Sequence, residues 1–212
     1  MNLRPARLLV LGLLFAAFMT PALSAQSVEF NPYVGGVWPD NSHAGQLKSQ
    51  AFWGVRAGFH LDPNFAFEAN FGYLNHFEVE GTDPKSRGFL WEVAPTYSFS
   101  TLDWPTPKSF TPHVSFGVGG ITTQLKNPSQ FTYNVFENVQ FLDSPPQTIV
   151  HPIQMHDGDT FFTVSAGGGF KVNPGPVGFR ADVRARMLPN YHGGSPVWLE
   201  ATLGVSFVVG KH

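Results

Sequence analysis

Along much of this chain, apolar and polar positions take turns one residue at a time. In Phe179-Arg-Ala-Asp-Val-Arg-Ala-Arg-Met187, one parity carries Arg180, Asp182, Arg184 and Arg186, and the other carries only apolar residues. A period of two belongs to the β-strand, whose side chains leave alternate faces. Comparable alternation predicts strands near 28–38, 50–61, 65–75, 88–99, 110–122, 159–172, 177–188 and 196–209. No stretch sustains a 3.6-residue period, so no helix is predicted after the leader described below.

The alternation has a constant sense. Ala51, Trp53, Val55, Ala57, Phe59 and Leu61 oppose Phe52, Gly54, Arg56, Gly58 and His60. Phe65, Phe67, Ala69, Phe71 and Tyr73 oppose Ala66, Glu68, Asn70 and Gly72. Phe89, Trp91, Val93, Tyr97 and Phe99 oppose Leu90, Glu92, Ala94, Thr96 and Ser98. Leu199, Ala201, Leu203, Val205 and Phe207 oppose Glu200, Thr202, Gly204 and Ser206. One face is bulky and greasy; the other is small, polar or charged. A soluble lipocalin-like barrel or β-sandwich would turn the greasy face inward. It would not explain why the opposite face is rich in glycine, which suits the crowded inside of a narrow barrel.

The connections alternate too. Asp62-Pro-Asn64, 101–108 and 173–176 are rich in turn formers, whereas 39–48, 75–87, 126–158 and 188–195 are mostly longer and more polar. Short turns at one end and long loops at the other are the pattern of an outer-membrane barrel. Each segment has about the ten residues that a tilted strand needs to cross a bilayer. We therefore expect an all-β fold: an eight-stranded antiparallel up-and-down transmembrane β-barrel over residues 26–212, with a long outer loop at 126–158. In that orientation Trp38, Trp53, Tyr73, Trp91 and Trp198 fall at the outer rim, Trp198 on the inward parity. Phe59, Phe65, Tyr97, Phe99, Phe110, Phe170, Phe179 and Phe207 form a lower belt, as expected of rings at the headgroup level.

The same parity sends Arg56, Lys171, Arg180, Arg184 and Arg186 into the lumen with Glu68, Glu92, Asp182 and Glu200. A charge buried without a partner costs several kcal/mol, so these nine are expected to pair. The last hairpin sets Arg184 close to Glu200 across the ladder. A paired network of this kind predicts a plugged lumen and not an open channel.

Composition agrees. Charged residues make up 13% and aromatics 15%, with 21 Phe, 22 Gly and 18 Pro in 212 residues; a soluble domain carries roughly 25% charged residues. There is no Cys, so neither a disulfide framework nor a thiolate metal site is available. Arg4 and Arg7 precede the apolar run from Leu8 to Met19 and a small-residue exit near Ala25, which predicts a secretory signal peptide over 1–25. Its loss removes two Arg and no acid, so the net charge moves from −2 to −4. No basic patch is concentrated enough for a nucleic-acid partner.

Phe30-Asn-Pro-Tyr-Val-Gly-Gly36, Trp53-Gly-Val-Arg-Ala-Gly58, Pro112-His-Val-Ser-Phe-Gly-Val-Gly-Gly120 and Leu203-Gly-Val-Ser-Phe207 together resemble the small outer-membrane β-barrel proteins of the OmpA/OmpX type. The resemblance covers the mature chain. It implies a location in the outer membrane of a Gram-negative-type cell. It also implies contact with outer-membrane lipid and lipopolysaccharide, and insertion by the outer-membrane assembly machinery, which reads the final strand. Members often end on an aromatic residue; here Val208-Val-Gly-Lys-His212 follows Phe207. No room remains for the peptidoglycan-binding domain of some relatives, so their anchoring role is not expected.

Two constellations could carry chemistry. His113 and Ser115 resemble the His and Ser of barrel enzymes that deacylate lipid A, where His acts as general base, but Phe116 stands where that family has Asn. His151, His156, Asp157 and Asp159 could in principle hold Zn²⁺, yet their spacing fits no standard signature. No glycine-rich phosphate loop opens a helix. We expect no enzyme activity, no cofactor and no metal. The expected role is structural or one of surface interaction, through a partner the sequence does not name; the alternative is a conduit for a small or hydrophobic solute.

Overall fold

A computed structural model of the chain describes residues 27–40, 48–76, 86–99, 110–125, 130–139, 147–172, 177–189, 191 and 195–210, with 130–139 and 147–155 described by their backbone. The leader expected over 1–25 and the turn at 173–176 lie outside these residues. The strands are β1 Ser27–Pro39, β2 Gln50–His60, β3 Phe65–Leu74, β4 Ser86–Ser98 and β5 Phe110–Leu125. They continue as β6 Gln130–Val139, β7 Gln147–His156, β8 Thr160–Val172, β9 Val177–Met187 and β10 Val197–Gly210.

Eight of them close into one antiparallel barrel in the order β1-β10-β9-β8-β5-β4-β3-β2. The seam is made by β1 and β10, with Ser27 opposite Gly210 and Trp38 opposite Leu199. Closure leaves no strand edge unpaired around the wall, which is what a sheet immersed in lipid requires. No helix occurs among the described residues.

Burial runs opposite to that of a soluble protein. Phe71 is 57% exposed and Leu203 67% exposed on the outer surface, while Arg56 is 1% and Arg186 0% exposed inside. Soluble monomers rarely show a contiguous apolar patch beyond a few hundred Å²; here an apolar band encircles the barrel. Its outward aromatics touch one another, Trp53 with Tyr73 at 5.4 Å and Tyr73 with Phe89 at 5.1 Å near one end. Tyr97 with Phe99 at 5.1 Å and Phe110 with Phe170 at 5.4 Å do so near the other.

Local chemistry explains the turns. Asp62 Oδ1 accepts the backbone N–H groups of Asn64 and Phe65, each at 2.8 Å, and so folds the tight β2–β3 connection. Gly158 has φ +85°, a left-handed conformation that glycine adopts without strain, and it turns β7 into β8.

Two expectations change. Strands β4 and β5 run further at the outer end than alternation suggested, starting at Ser86 and ending at Leu125. The 126–158 segment, expected as a long outer loop, contains β6 and β7. These pair as a separate two-stranded sheet, with Phe131 opposite Met155 and Val139 opposite Gln147.

Candidate functional site

The inward parity of every wall strand delivers side chains to one axis. From β9 come Arg180, Asp182, Arg184 and Arg186; from β2 and β3 come Arg56 and Glu68; from β4, β8 and β10 come Glu92, Lys171 and Glu200. Strand β1 adds Glu29, which the sequence reading did not single out. Among the described residues the buried charges are then five basic and five acidic.

They form two groups. In the lower one, Arg180 grips Glu68 with both terminal nitrogens, Nη1 to Oε1 at 2.6 Å and Nη2 to Oε2 at 3.0 Å. Its Nε donates to Asp182 Oδ2 at 2.9 Å. Asp182 also accepts from Arg56 Nη1 at 2.9 Å and faces His113 Nε2 at 2.8 Å. Lys171 Nζ donates to Glu29 Oε2 at 2.5 Å, and Ser206 Oγ donates to Glu29 Oε1 at 2.8 Å. In the upper group Glu92 receives Arg184 Nη1 at 2.5 Å, Arg186 Nη1 at 2.6 Å and Ser165 Oγ at 2.6 Å. Arg186 also clasps Glu200, Nε to Oε1 at 2.5 Å and Nη2 to Oε2 at 3.2 Å. Forked guanidinium–carboxylate pairs are the geometry that compensates best for taking both charges out of water.

Arg184 and Glu200 are cross-strand partners in the backbone register. Their side chains nevertheless diverge. Arg184 crosses the lumen to Glu92, and Glu200 is taken by Arg186, two residues further along the same strand. A long guanidinium in a narrow barrel reaches opposite walls as easily as its ladder neighbour, so register alone does not decide the pairing.

Glycine makes this crowding feasible. A methyl group at Gly117 would lie against the Glu92 carboxyl and 2.6 Å from Ser165 Oγ. The missing side chain is the space that Glu92 occupies.

Above the charges sits an apolar layer that the sequence reading missed. Val37, Phe52, Leu74, Leu90, Ile121 and Trp198 are buried together at the outer end of the lumen, with Phe161 packed against them. The clue was present in the outermost inward positions: Phe52, Leu74, Leu90 and Trp198 are apolar although their parity is the polar one. Trp198 thus differs from the other rim aromatics. Trp38, Trp53 and Trp91 face outward, but Trp198 is 2% exposed and belongs to this internal layer. It starts β10 with its side chain on the same face as Glu200, so the ring fills the barrel mouth.

The pattern of the outer membrane protein beta-barrel domain matches residues 10–197 of the chain. The chain belongs to this family. Among solved structures, OprG from Pseudomonas aeruginosa superposes on this outer-membrane barrel with a TM-score of 0.56 at 11% identity, over 88% of this chain and 97% of that one. Neisserial surface protein A superposes with a TM-score of 0.53 at 11% identity, over 85% and 95%. At such identity the likeness is one of fold. No curated protein matches the chain.

The candidate chemistry of this outer-membrane barrel reads differently in space. His113 Nε2 is engaged by Asp182 and lies 3.1 Å from Arg180 Nη2, deep among the lumen charges. His113 Nδ1 has no hydrogen-bond partner, so neither ring nitrogen is bonded to Ser115. In the loop, Asp157 Oδ1 accepts the N–H of Leu125 at 2.9 Å and Asp159 Oδ2 that of His156 at 2.8 Å. The first fastens the base of the β6–β7 hairpin to the end of β5, and the second braces the turn from β7 into β8. Among the described residues no group of three His, Asp or Glu is disposed to hold a metal ion.

Proposed function

We propose that this outer-membrane barrel is a sealed, non-conducting scaffold. It is held in outer-membrane lipid and lipopolysaccharide, inserted by the assembly machinery that serves its family, and used to hold surface segments such as the β6–β7 hairpin for an interaction. The observation that carries this reading is the filling of the lumen. Ten charges fill the axis, with Arg180–Glu68, Arg184–Glu92 and Lys171–Glu29 reaching across it, and the apolar layer with Trp198 lies over them. Ions crossing such a barrel would have to break forked pairs and then pass a dewetted constriction. Family membership and the outer surface of the barrel support the membrane location. The lack of a hydrogen bond from either ring nitrogen of His113 to Ser115 supports a role without hydrolysis.

The test is electrical. Purified protein refolded into planar lipid bilayers is expected to give a silent baseline, with no more than rare brief events. A steady, ohmic conductance from wild-type protein would overturn the sealed-scaffold reading in favour of a conduit.

A further inference from the structure

Three pinned groups converge where the lower and upper charge groups meet, without closing on one another. Arg56 Nε stands 3.7 Å from Glu68 Oε2, and Arg184 Nη2 stands 3.6 Å from the same oxygen. Both distances exceed a hydrogen bond. Neither nitrogen has a hydrogen-bond partner among the protein atoms, although Arg56 is 1% and Arg184 2% exposed. A buried charged donor left unpaired is costly, commonly more than the 1–3 kcal/mol of a neutral one.

The gap is not one that side-chain rotation can close cheaply. Arg56 is fixed by its Nη1 bond to Asp182 and by stacking of its guanidinium over the Tyr33 ring, 5.1 Å to the centroid. Arg184 is fixed by its Nη1 bond to Glu92. Glu68 is fixed by the two-pronged grip of Arg180. Each would have to give up a short ionic contact to satisfy the other two.

We propose that this point is a binding site for one internal water molecule, which accepts from Arg56 Nε–H and Arg184 Nη2–H and donates to Glu68 Oε2. Two donors and one acceptor give it about the three bonds that buried waters usually make, and a polar contact longer than 3.5 Å is where a bridging water is expected. An anion fits worse. Glu68 already supplies the negative charge at the site, and the five acids and five bases of the lumen leave no net positive charge to attract another. The water joins the two charge groups by linking β2, β3 and β9 through a single bridge.

The experiment is a high-resolution crystal structure of the wild-type barrel in detergent, with a parallel crystal soaked in bromide. The expected result is a spherical density peak within hydrogen-bond distance of Arg56 Nε, Arg184 Nη2 and Glu68 Oε2, without anomalous signal after the soak. The absence of a peak would overturn the proposal, whether or not the two guanidinium groups had closed on Glu68. An anomalous bromide peak at that point would overturn it too, because the site would then be an anion site.

Discussion

At the scale of single residues, Arg180 and Arg186 matter most to the lumen, since each grips two carboxylates with three nitrogens, and Arg180 does so in the lower group. Replacing Arg180 by Met leaves Glu68 and part of Asp182 as uncompensated buried charge. Breaking one side of such a pair costs about 3–5 kcal/mol, so Arg180→Met should lower the urea stability of the refolded barrel by that order. Equilibrium unfolding followed by tryptophan fluorescence would check it, and a change below about 1 kcal/mol would mean that the network is already largely hydrated. The outer surface makes the converse expectation. Leu203 is 67% exposed near the middle of β10, in the apolar band. An arginine there meets hydrocarbon, with a cost of about 2–4 kcal/mol at the bilayer midplane. Unfolding of Leu203→Arg in lipid vesicles should show that loss. In a soluble protein the same change at so exposed a position would be nearly neutral.

At the scale of elements, the barrel wall is independent of the hairpin that projects from it. β5 pairs directly with β8 from Phe110 opposite Val172 to Thr122 opposite Thr160, so the wall is complete without β6 and β7. Replacing residues 127–156 by a short glycine-containing turn should therefore leave folding and membrane insertion intact. Retention of the folded gel species would check this; its loss would show that the hairpin helps nucleate the β5–β8 pairing. The eight wall strands were legible in the sequence because burial on one side and lipid on the other impose a strict two-residue period, as in β9. The ends of β4 and β5 were less legible, since above the membrane that constraint lapses. Glu29 was readable by parity with Asn31 and Tyr33. The divergence of Arg184 from Glu200 was not, because a side chain that crosses the lumen obeys the diameter of the barrel and not the alternation along a strand.

At the scale of the whole molecule, a closed sheet with no free edge resists detergents that unfold less complete structures. Unheated protein in sodium dodecyl sulfate should migrate faster than the boiled sample. Identical mobility of the two would contradict a closed, detergent-stable barrel. The lumen also has a direction. Its lower part is ionic and its outer end apolar, through Phe52, Leu90 and Trp198, so the two mouths present different chemistry to what lies on either side.

The seam joins Ser27 to Gly210, positions almost as far apart along the polypeptide as the described residues allow. Zipping the cylinder shut must therefore wait until the last strand is available. Before that moment every copy carries two unpaired, apolar borders. A late-closing intermediate with open edges follows from this topology as directly as the cylinder itself does.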